Sequence, residues 1–275
     1  MRAVRTLVLS GYGINCEKEM AKAALLAGSE VVTAHVKTWI LGQIDLTHFD
    51  ILFFPGGFSF GDELGAAKVF ANKIVFAKGK KEGKSLSEEL DDFVKRGNCI
   101  LGVCNGFQLL VKLGILPGFQ KKQEVSLSRN ERYQFESRWV HLHITPSRSI
   151  FTEGLKELYL PVRHAEGNFV VKEGGMIDRL VANRQIALQY GAIDGKVADH
   201  YPDNPNGSSH SIAGICDGTG RVLGMMPHPE AAIFFTHFPD WIRRKEELKR
   251  QGLSIPLHGP GLNLFKNVVN YSRQK

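Results

Sequence analysis

Short apolar runs separated by helix-spaced segments dominate the first half of the chain. Thr6 to Ser10 is a compact apolar run that stops at Gly11 and predicts a first strand. Glu17 to Ala27 places Met20, Ala24 and Leu25 on one helical face, with Gly28 as the stop. Glu30 to Val36 predicts a second strand. Ile51 to Phe54 is a continuous apolar run before Pro55-Gly56-Gly57, as in a strand covered on both faces. An Ala- and Val-rich helix is expected after Asp62, then a solvated polar loop at Lys78–Lys84. Ser85 and Glu88 form a capping-box signature, followed by Leu86, Leu90, Phe93 and Val94 at helical spacing. Cys99 to Val103 reads as the next buried strand and Asn105 to Leu113 as the next helix, stopped by Gly114.

This alternation predicts an α/β fold, a mostly parallel sheet with helices on both faces. Functional sites in such sheets form at the carboxyl ends of the strands, where Pro55-Gly56-Gly57 and Cys104 fall. Beyond residue 135 the pattern changes. Val140, Leu142 and Ile144 alternate with Trp139, His141 and His143. Residues 199–209 form a turn-rich loop, and Ile212–Ile215 and Val222–Met226 flank a hairpin turn at Asp217-Gly218. Residues 236–262 read as an appended segment on what is otherwise one domain spanning 1–275.

Composition narrows the class. The chain has 275 residues, 43% hydrophobic and 23% charged, which is ordinary for a globular protein. Lys+Arg 35 against Asp+Glu 28 gives +7, with no dense basic stripe, so no nucleic-acid partner is expected. The longest apolar stretch, Cys99 to Phe119, is interrupted by Asn105, Gln108 and Lys112. It predicts core rather than membrane. No signal peptide is expected. Cys16, Cys99, Cys104 and Cys216 lack disulfide or zinc spacing, which points to reduced thiols in a cytoplasmic protein. His141-x-His143 lacks a third ligand, and Gly11-x-Gly13 lacks the third glycine of a dinucleotide fingerprint. No metal site is expected.

Gly102-Val103-Cys104-Asn105-Gly106 has the form of a nucleophile elbow between a strand and a helix. Small flanking residues relieve a strained turn, and the helix N-terminus favours thiolate at Cys104. The Asn105 N–H would be one oxyanion donor, and Gly56-Gly57 could bring a second backbone N–H close to a substrate. Two His-x-Glu pairs could supply base and orienter: His228-Pro229-Glu230 and His164-Ala165-Glu166. Residues i and i+2 of an extended segment point the same way. His228 is preferred because, like Cys104, it follows an apolar strand, although spacing leaves His164 open.

Pro55 to Asp62, Gly102 to Gln108 and Pro227 to Glu230 together resemble the class I (triad) glutamine amidotransferases, whose sheet is flavodoxin-like. Leu127–Trp139, His164–Gly167 and Tyr201–Ser208 with Ile212–Asp217 are similar to one branch of that family, the glutaminase subunits of phosphoribosylformylglycinamidine synthase. The resemblance spans about residues 4–235. It implies Cys104 as nucleophile, His228 as base and Glu230 as its orienter. Gly57 and Asn105 would be oxyanion donors, and Gln108 would help hold the substrate glutamine. His164 and Glu166 would face the synthase partner. It implies ammonia delivery to an ATP-dependent synthase subunit (PurL), with a small accessory subunit (PurS). ATP and Mg²⁺ would lie on the partner and no cofactor on this chain. Ala231-Ala232 departs from the arginine common in the family. Three rivals remain at this point: a glutaminase subunit serving another acceptor, a cysteine hydrolase or stress protein on a similar fold, and an inactive binding subunit that kept the motifs. The freedom of Gly56-Gly57 further suggests a loop that a partner must aim.

Overall fold

A computed structural model describes residues 2–77, 84–118, 122–172 and 174–275. The polar run expected at Lys78–Lys84 lies outside the described residues except for Lys84. Eleven strands are present among the described residues: β1 Arg5–Ser10, β2 Glu30–His35, β3 Ile51–Phe54, β4 Cys99–Val103, β5 Val125–Ser128, β6 Glu136–Ile144, β7 Glu157–His164, β8 Asn168–Val171, β9 Ile186–Gly191, β10 Ile212–Cys216 and β11 Val222–Met225. Nine form one sheet in the order β2-β1-β3-β4-β11-β10-β9-β6-β7, and β5 pairs with β8 in a separate ribbon. β2, β1, β3, β4 and β11 run parallel, and every later pairing is antiparallel.

The helices are α1 Glu17–Leu26, α2 Val36–Ile40, α3 Lys68–Phe76, α4 Leu86–Lys95, α5 Asn105–Lys112, α6 Met176–Ala182, α7 Trp241–Arg250 and α8 Leu262–Gln274. Successive side chains of β3 show that both faces are covered, because neighbours on a strand point oppositely. Phe53 meets Phe265 of α8 edge-on at 5.6 Å between ring centroids, while Phe54 meets Phe70 of α3 at 6.3 Å. All four β3 residues are buried, as their unbroken apolar run requires. The Ser85–Glu88 capping box forms at the start of α4, and Leu86, Leu90, Phe93 and Val94 are buried along it. Among the described residues no helix is long and apolar enough to cross a membrane.

Two stretches differ from the pattern expected. The helix after Asp62 begins only at Lys68, because Phe60, Asp62 and Ala67 have positive φ and hold residues 59–67 as an irregular loop. Residues 236–262 contain α7, which buries no residue, and lead into α8, which buries Leu262, Leu264, Phe265, Val268 and Val269. The antiparallel half of the sheet bends back over the end of the parallel half. Although β7 is the last strand in the order, Pro161 O accepts from His228 N at 2.8 Å and Arg163 O accepts from the Cys104 thiol at 3.6 Å.

Candidate active site

Cys104 sits between β4 and α5 with φ 52° and ψ −107°. The chain can turn there because glycines stand two residues away on either side. A Cβ on Gly106 would lie 2.0 Å from Phe54 O, and one on Gly102 would lie 2.6 Å from Gly106 O. The thiol is thereby held at the N-terminus of α5, whose first-turn N–H groups have no partner within the helix. The N–H of Asn105 is among them.

β11 lies beside β4 and parallel to it, so the residues after both strands emerge together. Cys104 N donates to Met225 O at 2.8 Å, and three residues after Met225 the chain reaches His228. Proline at the first position of the Pro229–Ala232 turn leaves His228 extended and brings Glu230 back beneath it. His228 Nδ1 donates to Glu230 Oε1 at 2.5 Å, both side chains being almost wholly buried. Nε2 is buried without another partner and is the nitrogen left for Cys104. Burial disfavours the imidazolium, but the Glu230 carboxylate and hydrogen bonds with Cys104, Cys16 and Glu230 outweigh it. His228 is held well above its ordinary pKa.

The glycine loop is more tightly fixed than its composition suggests. Asn15 N and Cys16 N donate to Gly56 O, Phe58 N donates to Gly13 O and Phe60 N donates to Tyr12 O. Residues 11–16 thus clamp residues 56–60, and Gly57 N takes no part in that clamp. Gly57 has φ +141°, and a Cβ there would lie 2.5 Å from Gly13 O. Residues 11–16 therefore hold the Gly56-Gly57 loop through the main chain.

These parts surround a cavity of about 160 Å³ lined by Asn15, Cys16, Gly57, Phe58, Cys104, Phe135, Ser137, Arg163 and His228. Cys16 and Arg163 were not legible as site residues. Arg163 supplies the main-chain oxygen under Cys104 and is the one Lys or Arg among the residues that line the cavity. Cys99 and Cys216 lie elsewhere, and burial pushes each up to about 12.

Three expected roles change. Gln108 does not line the cavity: its Nε2 donates to Glu166 O at 2.6 Å and its Oε1 accepts from Asn105 Nδ2 at 3.0 Å. The first bond ties α5 to residue 166, and the second lies within α5 itself. His164 cannot face a partner, being 2% exposed. Glu166 is half-buried, and its carboxylate accepts from Ala66 N at 3.1 Å. His164 is instead one bond in a hub around Asn130. Asn130 Nδ2 donates to His164 O and Gln134 O, so its Oδ1 must accept, from Gly167 N at 3.0 Å and from His164 Nδ1 at 3.1 Å. Asn206 and Ser208 bind Gly167 O from the other side. Two polar motifs far apart in sequence therefore converge to hold the strap that carries Arg163.

Burial, reinforced by the nearby His228, depresses His164 to about 3 from its ordinary 6.5. The unfolded chain binds a proton there below 6.5, and the folded chain resists until about 3. Stability from this group is complete above the upper value and is lost as pH falls through the window, by about 1.4 kcal/mol per pH unit. Urea midpoints between pH 7 and 4.5 should show this slope in the wild type and its loss in His164→Gln.

The chain matches the CobB/CobQ-like glutamine amidotransferase domain over residues 3–272. It belongs to that family. It is 40% identical over 272 residues to phosphoribosylformylglycinamidine synthase subunit PurQ of Methanococcus maripaludis strain S2, covering 97% of each chain. It is also 40% identical over 276 residues to the subunit of the same name from Dehalococcoides mccartyi, covering 100% of each. A chain in the structure of PurLQS from Thermotoga maritima matches with a TM-score of 0.69 and 24% identity, covering 98% of this chain and 99% of that one. That likeness speaks to the fold.

Proposed function

We propose that this chain is the glutaminase subunit of phosphoribosylformylglycinamidine synthase, hydrolysing glutamine through a thioester on Cys104. The observation that carries the reading is Cys104, on a positive-φ turn, sharing one cavity with His228, which Glu230 holds from behind. The thiolate attacks the side-chain amide carbon. The tetrahedral oxyanion is taken by the N–H groups of Gly57 and Asn105, each such donor contributing ~10²–10³ in rate. His228, kept protonated by Glu230, gives its Nε2 proton to the departing nitrogen, and ammonia leaves. Neutral His228 then takes a proton from water, whose oxygen attacks the thioester and releases glutamate and the Cys104 thiol.

Arg163 fits the α-carboxylate of glutamine, being the one Lys or Arg among the residues that line the cavity. Losing a charged hydrogen bond costs about 1.5–3 kcal/mol. Arg163→Ala should therefore raise KM roughly 10- to 100-fold with kcat little changed, which initial-rate kinetics would read directly.

The ammonia would serve the ATP-dependent amination of formylglycinamide ribonucleotide by a PurL-type synthase subunit in the cytoplasm. A PurS-type accessory subunit would complete the assembly, and ATP and Mg²⁺ would belong to the partner. Residues 58–64 are a meeting surface for it, with Phe58 and Leu64 exposed. Steady-state glutamate release by the pure chain, with and without synthase subunit and nucleotide substrates, tests the assignment. Low basal turnover and a rise on adding the synthase are expected. Glutamine hydrolysis that couples instead to another acceptor's synthase would overturn the purine assignment.

A further inference from the structure

Cys16 has no step in the chemistry above, yet it lies in the same cavity as Cys104. Its Sγ is 3.9 Å from His228 Nδ1, the nitrogen that Glu230 Oε1 holds at 2.5 Å. One donor atom each from Cys16, His228 and Glu230 lies within 4.8 Å of the others, and all three residues are buried. No other set of three such side chains comes together this closely among the described residues. The second carboxylate oxygen, Glu230 Oε2, is buried with no hydrogen-bond partner.

Thiolate, imidazole and carboxylate are the donors that zinc takes, at about 2.3, 2.0–2.1 and 2.0–2.2 Å. Tetrahedral angles then set donor separations of roughly 3.4–3.6 Å. The sulfur–nitrogen gap is already close to this. The carboxylate would need only to step back from Nδ1 or to turn its unpartnered oxygen inward.

We propose that Cys16, His228 and Glu230 form an inhibitory site for a thiophilic divalent cation of the zinc class, entered from the substrate cavity. Cys16 binds as thiolate and the cation takes the Nδ1 lone pair, the protons displaced from Sγ and Nδ1 going to solvent. The remaining ring proton of neutral His228 resides on Nε2, the face turned to Cys104. That nitrogen can no longer accept a proton, and Glu230 no longer orients the ring as a hydrogen-bond partner. The base is removed without occupation of Cys104.

Inhibition rests on the glutaminase reading; cation binding does not. The full-length chain is titrated with Co²⁺ as a spectroscopic stand-in, then with Zn²⁺ in competition. Wild type and Cys99→Ser should show a sulfur-to-cobalt charge-transfer band. Cys16→Ser and Cys16→Ala should both lack it and bind zinc at least about 100-fold more weakly, since loss even of a group supporting a ligand costs 10–100-fold. Zinc inhibition of glutamate release, each variant referred to its own zinc-free rate, should weaken by the same factor in Cys16→Ser. A band and affinity that persist in both Cys16 variants, or that vanish in Cys104→Ala instead, would overturn the site. A band that behaves as stated in a chain that never hydrolyses glutamine would keep the site and defeat the glutaminase reading.

Discussion

Replacing Cys104 with serine is expected to lower glutamine-dependent turnover by on the order of 10⁶, the loss seen when a triad nucleophile is removed. Ammonia-dependent synthesis by the assembled enzyme should survive. Serine fits the same turn, because the close approaches at Gly102 and Gly106 are to Gly106, Leu110 and Phe54 and do not involve the residue between them. The variant therefore folds, and the loss reports chemistry. A hydroxyl is a far weaker acid than a thiol, so neither the helix N-terminus nor His228 can ionise it usefully at neutral pH. Parallel assays with glutamine and with ammonia as nitrogen source separate the two activities. A serine variant that still releases glutamate at the wild-type rate would remove Cys104 from the mechanism.

Glu230→Gln is expected to cost ~10⁴ in kcat, as the corresponding neutral exchange does in serine-protease triads. Glu230 does more than orient. Burial is the largest single influence on His228 and pushes its pKa down; the carboxylate is the strongest opposing one. With a neutral amide in its place, burial prevails and the imidazole sheds its proton near neutral pH. Nothing then protonates the departing ammonia. The surviving activity should show its His228-dependent limb displaced to lower pH, a change that loss of packing alone would not cause. An unshifted pH–rate profile with near-normal kcat would argue that another carboxylate serves the base.

The nucleophile was legible because its constraint is local: two glycines flanking a cysteine between an apolar strand and a helical pattern. Choosing between His228 and His164 needed strand order. His228 follows a strand and His164 ends one, and both precede a carboxylate at i+2, but only β11 lies beside β4 in the parallel half. β7 was hidden by Pro161, which belongs to a terminal strand where a missing N–H is tolerated. With β7 unseen, nothing in the sequence could place Arg163 in the cavity or bury His164. Cys16 was illegible for a similar reason. Its segment works through main-chain bonds to residues 56–60, and backbone clamping leaves little mark on side-chain identity. α8 carried a readable signal, Leu262, Phe265, Val268 and Val269 at helical spacing, next to the mixed pattern of residues 236–262.

Cys104, alone among the four cysteines, is the residue proposed to bond covalently to the glutamine side chain. Labelling with a chloroketone analogue of glutamine, followed by peptide mass spectrometry, tests this. Cys16 makes the test sharp, because it lines the same cavity and touches the same histidine. One adduct is expected, on Cys104, slowed by glutamine in competition and lost when His228 is replaced by alanine. An adduct on Cys16, or equal labelling of Cys99 and Cys216, would contradict it.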